Sequence, residues 1–278
     1  MSALDHQIVR TSKYNQHLTA PDILGIMLKY YNIHLSNSTI QRRLRAAGLM
    51  GRVAWRKPFI SLKNRLHRQR WCKERRNWPS TIWNQVVWTD ESVFHEQGND
   101  VRFYIRRRVG EEFDPHCTKA TVKGGGSKVT VWACMTATGP GPIIRIDGIM
   151  DQYKYKTILE QNLKPWIQRC LPRRIPWQLV HDNDPKHKAK SVTEWLNHQR
   201  WTVMDWPAQS PDLNVIEHCW GEVDKVIRDK KPGNNKQLWK VVENAWNDLS
   251  ASYCQKLVNS MHERCESVLK KRGYASRL

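Results

Sequence analysis

The sequence predicts a mixed α/β catalytic core preceded by a small all-α domain. Short apolar, β-rich runs first appear after Trp83, then alternate with amphipathic stretches, and the chain ends on helices. Residues 1–50 instead hold helix-capping signals. Positive charge is concentrated ahead of the core. Residues 1–83 contain sixteen lysines and arginines against three acids, and the rest of the chain thirty against twenty-three. The expected division is a helical domain over 1–50, a basic linker over 51–82 and the mixed α/β domain over 83–278. A chain of 278 residues has room for both domains.

The first element expected is a helix over residues 3–13. Thr19 then caps a second, TAPDILGIMLKYY, with Pro21 in its first turn and Asp22 at its positive end. Ile23, Leu24, Met27, Leu28 and Tyr31 follow helical spacing on its apolar side. Ser36 or Ser38 opens a third helix, STIQRRLRAAG, closed by Gly48. There Ile40, Leu44 and Ala47 face inward, while Ser38, Gln41, Arg42 and Arg45 share another face. Three short helices with a basic third one are the pattern of a helix-turn-helix. In that reading Gln41 and Arg42 reach base edges, and Arg43 and Arg45 sit on phosphates. A solvated basic helix on a small bundle has the same pattern.

GRVAWRKP brings Arg52, Arg56 and Lys57 into an extended stretch suited to a minor groove or a phosphate track. From about Ser61 the pattern turns helical, with Leu62, Leu66 and Trp71 among many cations. It reads equally as a solvated linker helix or a DNA contact, and the same cations suit a nuclear import signal. Beyond it, NQVVWTD reads as a strand ending at Asp90. VRFYIR, KVTVWACM (after glycines 124–126) and GPIIRIDG read as further strands. DQYKYKTILEQNLKPWIQRCL reads as one long helix. Strand WQLVHD, helix HKAKSVTEWLNHQ, strand WTVMDW and helix NVIEHCWGEVDKVIRDK follow, then helices over about 235–249 and 252–271. Most tryptophans lie beside apolar residues and belong in the core.

The net charge of +20 points to a polyanionic partner, nucleic acid before acidic membrane. No apolar run approaches the roughly 18 residues of a membrane helix, and the first ten residues have no signal-peptide core. Seven cysteines without a C-x-x-C pair read as reduced thiols of a cytosolic or nuclear protein, with no structural zinc.

Three acids stand in three distinct settings: Asp90 in VVWTDESVF, Asp182 in LVHDNDPKH and Glu217 in WPAQSPDLNVIEHCW. If the strands ending at Asp90 and Asp182 are neighbours, their carboxylates converge at a sheet edge, and Glu217 faces them from a helix. Carboxylates so gathered repel one another unless a cation intervenes. Hard oxygen ligands select Mg²⁺ or Mn²⁺, and two such ions can act on both the attacking and leaving oxygens of a phosphodiester. Each acid also has an ordinary reading. Asp90 can cap a turn, Asp182 sits in the turn signal D-N-D-P, and Asn214 with Glu217 has the spacing of a capping box. Gly221, one turn past Glu217, leaves the helix surface open there. His181, His187 and His218 fit no zinc spacing and read as DNA contacts or supports of the acids.

These three segments, in this order, resemble the motifs of the Tc/mariner superfamily of DDE transposases. The 34 residues between Asp182 and Glu217 match its Tc branch. HLTAPDI and STIQRRLRAAGL resemble the second helix-turn-helix of the family's DNA-binding region, GRVAWRKP its linker, and VKGGGSKVTVWACMTATGPGP its glycine-rich strand segment. The resemblance covers nearly the whole chain. It implies an RNase H-like core and cut-and-paste transposition, with cleavage at terminal inverted repeats and joining at TA sites. It implies a metal-binding triad of Asp90, Asp182 and Glu217 with two Mg²⁺ or Mn²⁺ ions, and a homodimer or larger synaptic complex on double-stranded DNA. Thr89, Val215 and His218 depart from a common Ser, Pro and Asn, and the linker lacks the compact Gly-Arg-Pro-Arg form. The family usually begins with a further helix-turn-helix, expected to be missing in whole or part here. The alternative is therefore an inactive or truncated transposase-derived DNA-binding protein.

Overall fold

The computed structural model describes residues 2–51, 59–96, 127–171 and 176–276. The expected strand VRFYIR, glycines 124–126 and the cations Arg52, Arg56 and Lys57 lie outside the described residues. The chain divides into two compact units, Met1–Lys57 and Pro58–Leu278. The second unit thus begins well before the expected start of the core at residue 83, because the helix that follows residue 61 packs within it.

In the first unit, helices α1 (Ala3–Tyr14), α2 (Ala20–Tyr31) and α3 (Asn37–Ala46) are set by their caps. Ser2 with Asp5 and Thr19 with Asp22 form reciprocal capping boxes, and Ser36 accepts from the Thr39 amide. At the far end of α3, Gly48 takes φ +74° and the Leu49 amide returns to the Leu44 carbonyl. The core is Ile8, Ile23, Met27 and Ile40, with Leu44 packed against it. Leu28 and Tyr31, expected on the inner side of α2, remain about half exposed, because α1 and α3 cover only the stripe through Ile23 and Met27.

The second unit opens with α4 (Leu62–Arg75) and the short α5 (Ser80–Trp83). Its sheet contains β1 (Val86–His95), β2 (Lys128–Thr136), β3 (Gly139–Ile146), β4 (Gln178–Val180) and β5 (Thr202–Val203), in the order β3-β2-β1-β4-β5. The first three strands are antiparallel, and β4 and β5 run parallel to β1. Side chains alternate across it. Val86, Trp88, Phe94, Val131 and Met135 enter one buried cluster, while Val87, Trp132, Cys134 and Leu179 enter the other. The first cluster is closed by α4, α9 (Ile216–Lys230), α10 (Asn235–Asn247), α11 (Ala251–Asn259) and α12 (Met261–Lys270). The second is closed by α6 (Gln152–Ile158), α7 (Lys164–Cys170) and α8 (Lys190–His198).

Three expected elements differ. β1 does not stop at Asp90 but pairs with β2 as far as His95 opposite Lys128. The long helix over 151–171 is interrupted by a π-turn at Leu159–Leu163, just before Pro165, whose missing N–H and ring oppose a regular i−4 ladder. The last helix is two, broken at Ser260, whose hydroxyl donates to the Leu257 carbonyl (2.7 Å). Among the described residues no helix is long and apolar enough to cross a membrane.

Candidate active site

The parallel pairing of β1 with β4 sets the first two acids. Trp88 stands opposite Val180, the last residue of β4. Two residues further along each chain are Asp90 and Asp182, so a period of two returns both to one face. Asp90 remains in the ladder with β2, opposite Ala133, and emerges only because β4 has stopped. The Thr89 hydroxyl donates to the Val180 carbonyl at 2.7 Å and fastens the two chains just before they part.

The third acid arrives on the first turn of α9. The capping box that Asn214 and Glu217 spell is not formed, and no side chain caps α9. Asn214 is buried and otherwise engaged. Its amide donates to the Thr89 carbonyl and its oxygen accepts from the Ile216 amide, each at 3.4 Å. Glu217 is therefore free to reach Asp90, and the two carboxyls lie close enough to perturb each other. Asp90, Asp182 and Glu217 line one cleft of about 280 Å³, walled by Asn183, Trp206, Pro207, Ala208, Gln209, Ser210, Pro211 and Asn214. At Gly221 a Cβ would have nothing within 4 Å, which leaves this side of the helix open.

The electrostatics favour a cation. Burial, then the charges of Glu217, Glu91 and Asp182, push the Asp90 carboxyl well above the usual carboxylate range. Burial also raises Glu217, partly offset by its neighbour Asp90. Among the described residues no lysine or arginine lines the cleft. Two crowded carboxyls without a counter-charge are what divalent ions neutralise, so the residues fit such ions. Among the described residues no three His, Cys, Asp or Glu side chains close into a metal cage on their own. Asp90, Asp182 and Glu217 would hold such an ion only in an open arrangement, with water and phosphate oxygens completing its shell, as Mg²⁺ commonly requires.

Asp182 is held differently. Burial pushes its carboxyl up, but His187 Nδ1 at 2.7 Å and the Asp184 amide outweigh this and bring it down to about 2. The other nitrogen of His187 meets Glu91 Oε1 at 3.1 Å, and Lys186 Nζ lies 3.4 Å from Glu91 Oε2. Burial depresses the imidazole, yet its two carboxylate partners raise it to about 9. His187, hydrogen-bonded to Glu91 through one ring nitrogen and ion-paired with Asp182 through the other, thus orients Asp182. His181 is the opposite case: it is buried, bonded to the Tyr155 hydroxyl at 2.9 Å, and lowered to about 4 by burial and by His187.

Residues 85–239 match the family described as DDE superfamily endonuclease, and residues 5–77 match a transposase family of Tc3 helix-turn-helix type. The Tc1 transposase of Caenorhabditis elegans is 39% identical over 274 residues, covering 99% of this chain and 100% of that protein. The Tcb1 transposase of Caenorhabditis briggsae is 38% identical over the same shares. The chain belongs to the Tc/mariner DDE transposases. Solved structures agree on the fold. A pre-cleavage Mos1 transpososome matches with TM-score 0.79 at 17% identity, over 98% of this chain and 79% of that one. The Mos1 mariner paired end complex with Mn matches with TM-score 0.81 at 16% identity, over 97% and 79%. The core is RNase H-like and a helix-turn-helix precedes it. The helix-turn-helix region is thus present, not lacking as the sequence suggested, and the match covers the whole length of Tc1 and Tcb1.

On α3 of this transposase, Ser38, Gln41, Arg42 and Arg45 are exposed together. Arg43, expected on phosphate, is half-buried and pairs with Asp5 of α1 at 3.2 Å. His218 packs its ring nitrogens toward Arg264 Nη2 rather than toward the acids. Sequence reasoning passed over Glu91, Lys186 and His187 as a group. The acid following Asp90 and the histidine five residues after Asp182 were visible, but their union depends on β1 and β4 lying side by side.

Proposed function

We propose that this transposase excises its element at the terminal inverted repeats and joins the freed 3′ ends to target DNA at TA. In this reading Asp90, Asp182 and Glu217 hold two Mg²⁺ or Mn²⁺ ions. The observation that carries it is the meeting of three acids, from a strand, the segment just past β4 and a helix, in one cleft that no lysine or arginine lines among the described residues. When bound, the two ions activate the attacking oxygen and neutralise the leaving one. The protein's part is placement. Asp90 and Glu217 present neighbouring carboxyls to the cleft, His187 keeps Asp182 ionised and oriented, and Asn214 ties the start of α9 to β1. The exposed face of α3, with Arg42 and Gln41, reads bases of the repeat, while the basic charge of residues 51–78 follows phosphates.

Mos1 structures described as paired-end complexes, with Mg and with Mn, support both the ion class and action by two or more copies. We also place the protein in the nucleus, where residues 51–78 would act as an import signal. A reporter fused to that segment and left in the cytoplasm would argue against this. The catalytic reading is tested by incubating the full chain with Mn²⁺, a duplex bearing the element's inverted repeats and a TA-containing target. Excision and joining at TA are expected. Repeat DNA that is bound but never nicked, with either Mg²⁺ or Mn²⁺, would contradict it.

A further inference from the structure

The cleft wall from Trp206 to Asn214 leads directly into Glu217, yet its only regular structure is the 3-10 turn Pro211–Leu213. It is also bent: Gln209 has φ +56°, a left-handed conformation that a side chain other than glycine adopts only at a cost. Such a conformation persists where its surroundings over-determine it. Those surroundings are almost entirely α4 and the segment just before it. The Phe59 carbonyl accepts from Gln209 Nε2 at 3.0 Å, and Asn64 Nδ2 donates to Gln209 Oε1 at 2.9 Å.

Arg68 completes the grip. Its side chain is wholly buried. Nη1 donates to the Gln209 carbonyl (2.9 Å), Ser210 Oγ (2.7 Å) and Asp212 Oδ1 (2.8 Å), and Nη2 donates to Asp212 Oδ2 (2.7 Å). Nε donates to the Gly273 carbonyl (2.9 Å). Gly273 can come this close only as glycine, since a Cβ there would lie 2.3 Å from the Arg65 carbonyl oxygen. Asp212 is held from its other sides by the Ser276 amide and by Arg264, whose Nη1 donates to the Asp212 carbonyl, each at 2.7 Å. One guanidinium therefore fastens three of the four consecutive wall residues 209 to 212, namely Gln209, Ser210 and Asp212, and only residues 213 to 216 separate the last of them from Glu217.

We propose that Arg68 is a positioning residue for Glu217. By clamping Gln209–Asp212 from behind the cleft, it fixes the wall that delivers the third acid to Asp90. The proposal rests on the reading that Glu217 helps to bind divalent metal. Arg68 does not touch the cleft and is no catalytic residue. A lysine in its place keeps the charge but cannot span both oxygens of Asp212, the Ser210 hydroxyl and two carbonyls at once.

The test compares the full chain with its Arg68→Lys and Glu217→Gln variants, reading Mn²⁺ affinity by electron paramagnetic resonance beside nicking of repeat DNA. Wild type must bind Mn²⁺ and Glu217→Gln must bind it more weakly. If that fails, the metal reading fails before Arg68 is considered. Folded Arg68→Lys is expected to bind Mn²⁺ at least tenfold more weakly, with nicking largely restored at saturating Mn²⁺ and repeat binding unchanged. Wild-type Mn²⁺ affinity in folded Arg68→Lys, or nicking that falls only with the folded fraction, would overturn the proposal. Should Arg68→Lys not fold, Asn64→Ala loosens the same wall from a partly exposed position. A Mn²⁺ affinity two- to threefold weaker is then expected, and an unchanged one overturns the proposal.

Discussion

Asp90 and Asp182 occupy equivalent places, two residues past the last paired position of β1 with β4, yet they are displaced in opposite directions. Asp90 is raised by burial and by three neighbouring acids, whereas Asp182 is brought down to about 2 by His187. Asp182 thus has its own counter-charge, whereas among the described residues no lysine or arginine lines the cleft beside Asp90 and Glu217. His187→Gln is accordingly expected to keep the fold but raise the Mn²⁺ needed for half-maximal nicking by roughly ten- to a hundredfold, the usual effect of removing a group that orients a metal ligand. An unchanged Mn²⁺ requirement would show that Asp182 needs no orienting partner. The crowding of Asp90 and Glu217 has a stability counterpart. Without metal, Asp90→Asn should melt at a higher temperature than wild type, because a neutral amide ends the repulsion. Added Mn²⁺ should raise the wild-type melting temperature by several degrees and that of the variant much less. Equal increments in the two proteins would argue against a metal ligand at Asp90. Asp212 supplies a pH dependence. Burial pushes its carboxyl up, but Arg68 and the Ser276 amide bring it below its ordinary value. A depressed carboxyl stabilises the fold above its unfolded pKa and loses that contribution as pH falls through its folded one. The melting temperature should therefore hold down to about pH 5 and drop below about pH 4, and the acid limb should be shallower in Asp212→Asn.

At the scale of elements, α3 combines a structural end with a recognition face. Ser36→Ala removes its cap and is expected to cost the first unit about 1 kcal/mol, read as a lower melting midpoint. Arg42→Ala should leave that midpoint alone and relax sequence preference, scored by competition between repeat and scrambled duplexes. Unchanged preference would remove α3 from base readout. The three amino-terminal helices were legible because Ser, Thr and Asp cap locally, and the strand runs because burial imposes alternation. The end of β1 was misread because Asp90 and Glu91 interrupt the apolar pattern, whereas the ladder to β2 needs only backbone groups and continues under them. The capping-box reading of Glu217 failed for a tertiary reason: Asn214 is drawn away by the Thr89 carbonyl. α4 looked like a solvated linker because its composition is so basic. Its place in the core depends on Arg68 finding acceptors some 140 residues along the chain, which no local pattern encodes. Deleting that guanidinium, as in Arg68→Met, strands Asp212 in the interior at a cost of about 3 kcal/mol or more.

For the whole molecule, basic charge and cleft acids lie in different stretches of the chain, although the basic helix α4 belongs to the second unit. The excess positive charge lies toward the amino terminus, and the acids that make the cleft lie in the second unit. Binding should therefore weaken steeply with salt, whereas the metal requirement of nicking should change little between salt concentrations at which the DNA stays bound. What the sequence alone left open was whether three acids with individually ordinary explanations belong together, and the pairing of β1 with β4 and the course of the 206–214 wall bring them into one cleft. The most direct test of that account is Mg²⁺-dependent nicking of a repeat-bearing duplex by wild type and Asp182→Asn, with duplex binding measured in the same samples. The account predicts that the variant binds as tightly as wild type and does not nick. Nicking that survives the substitution, or binding that is lost along with it, would contradict it.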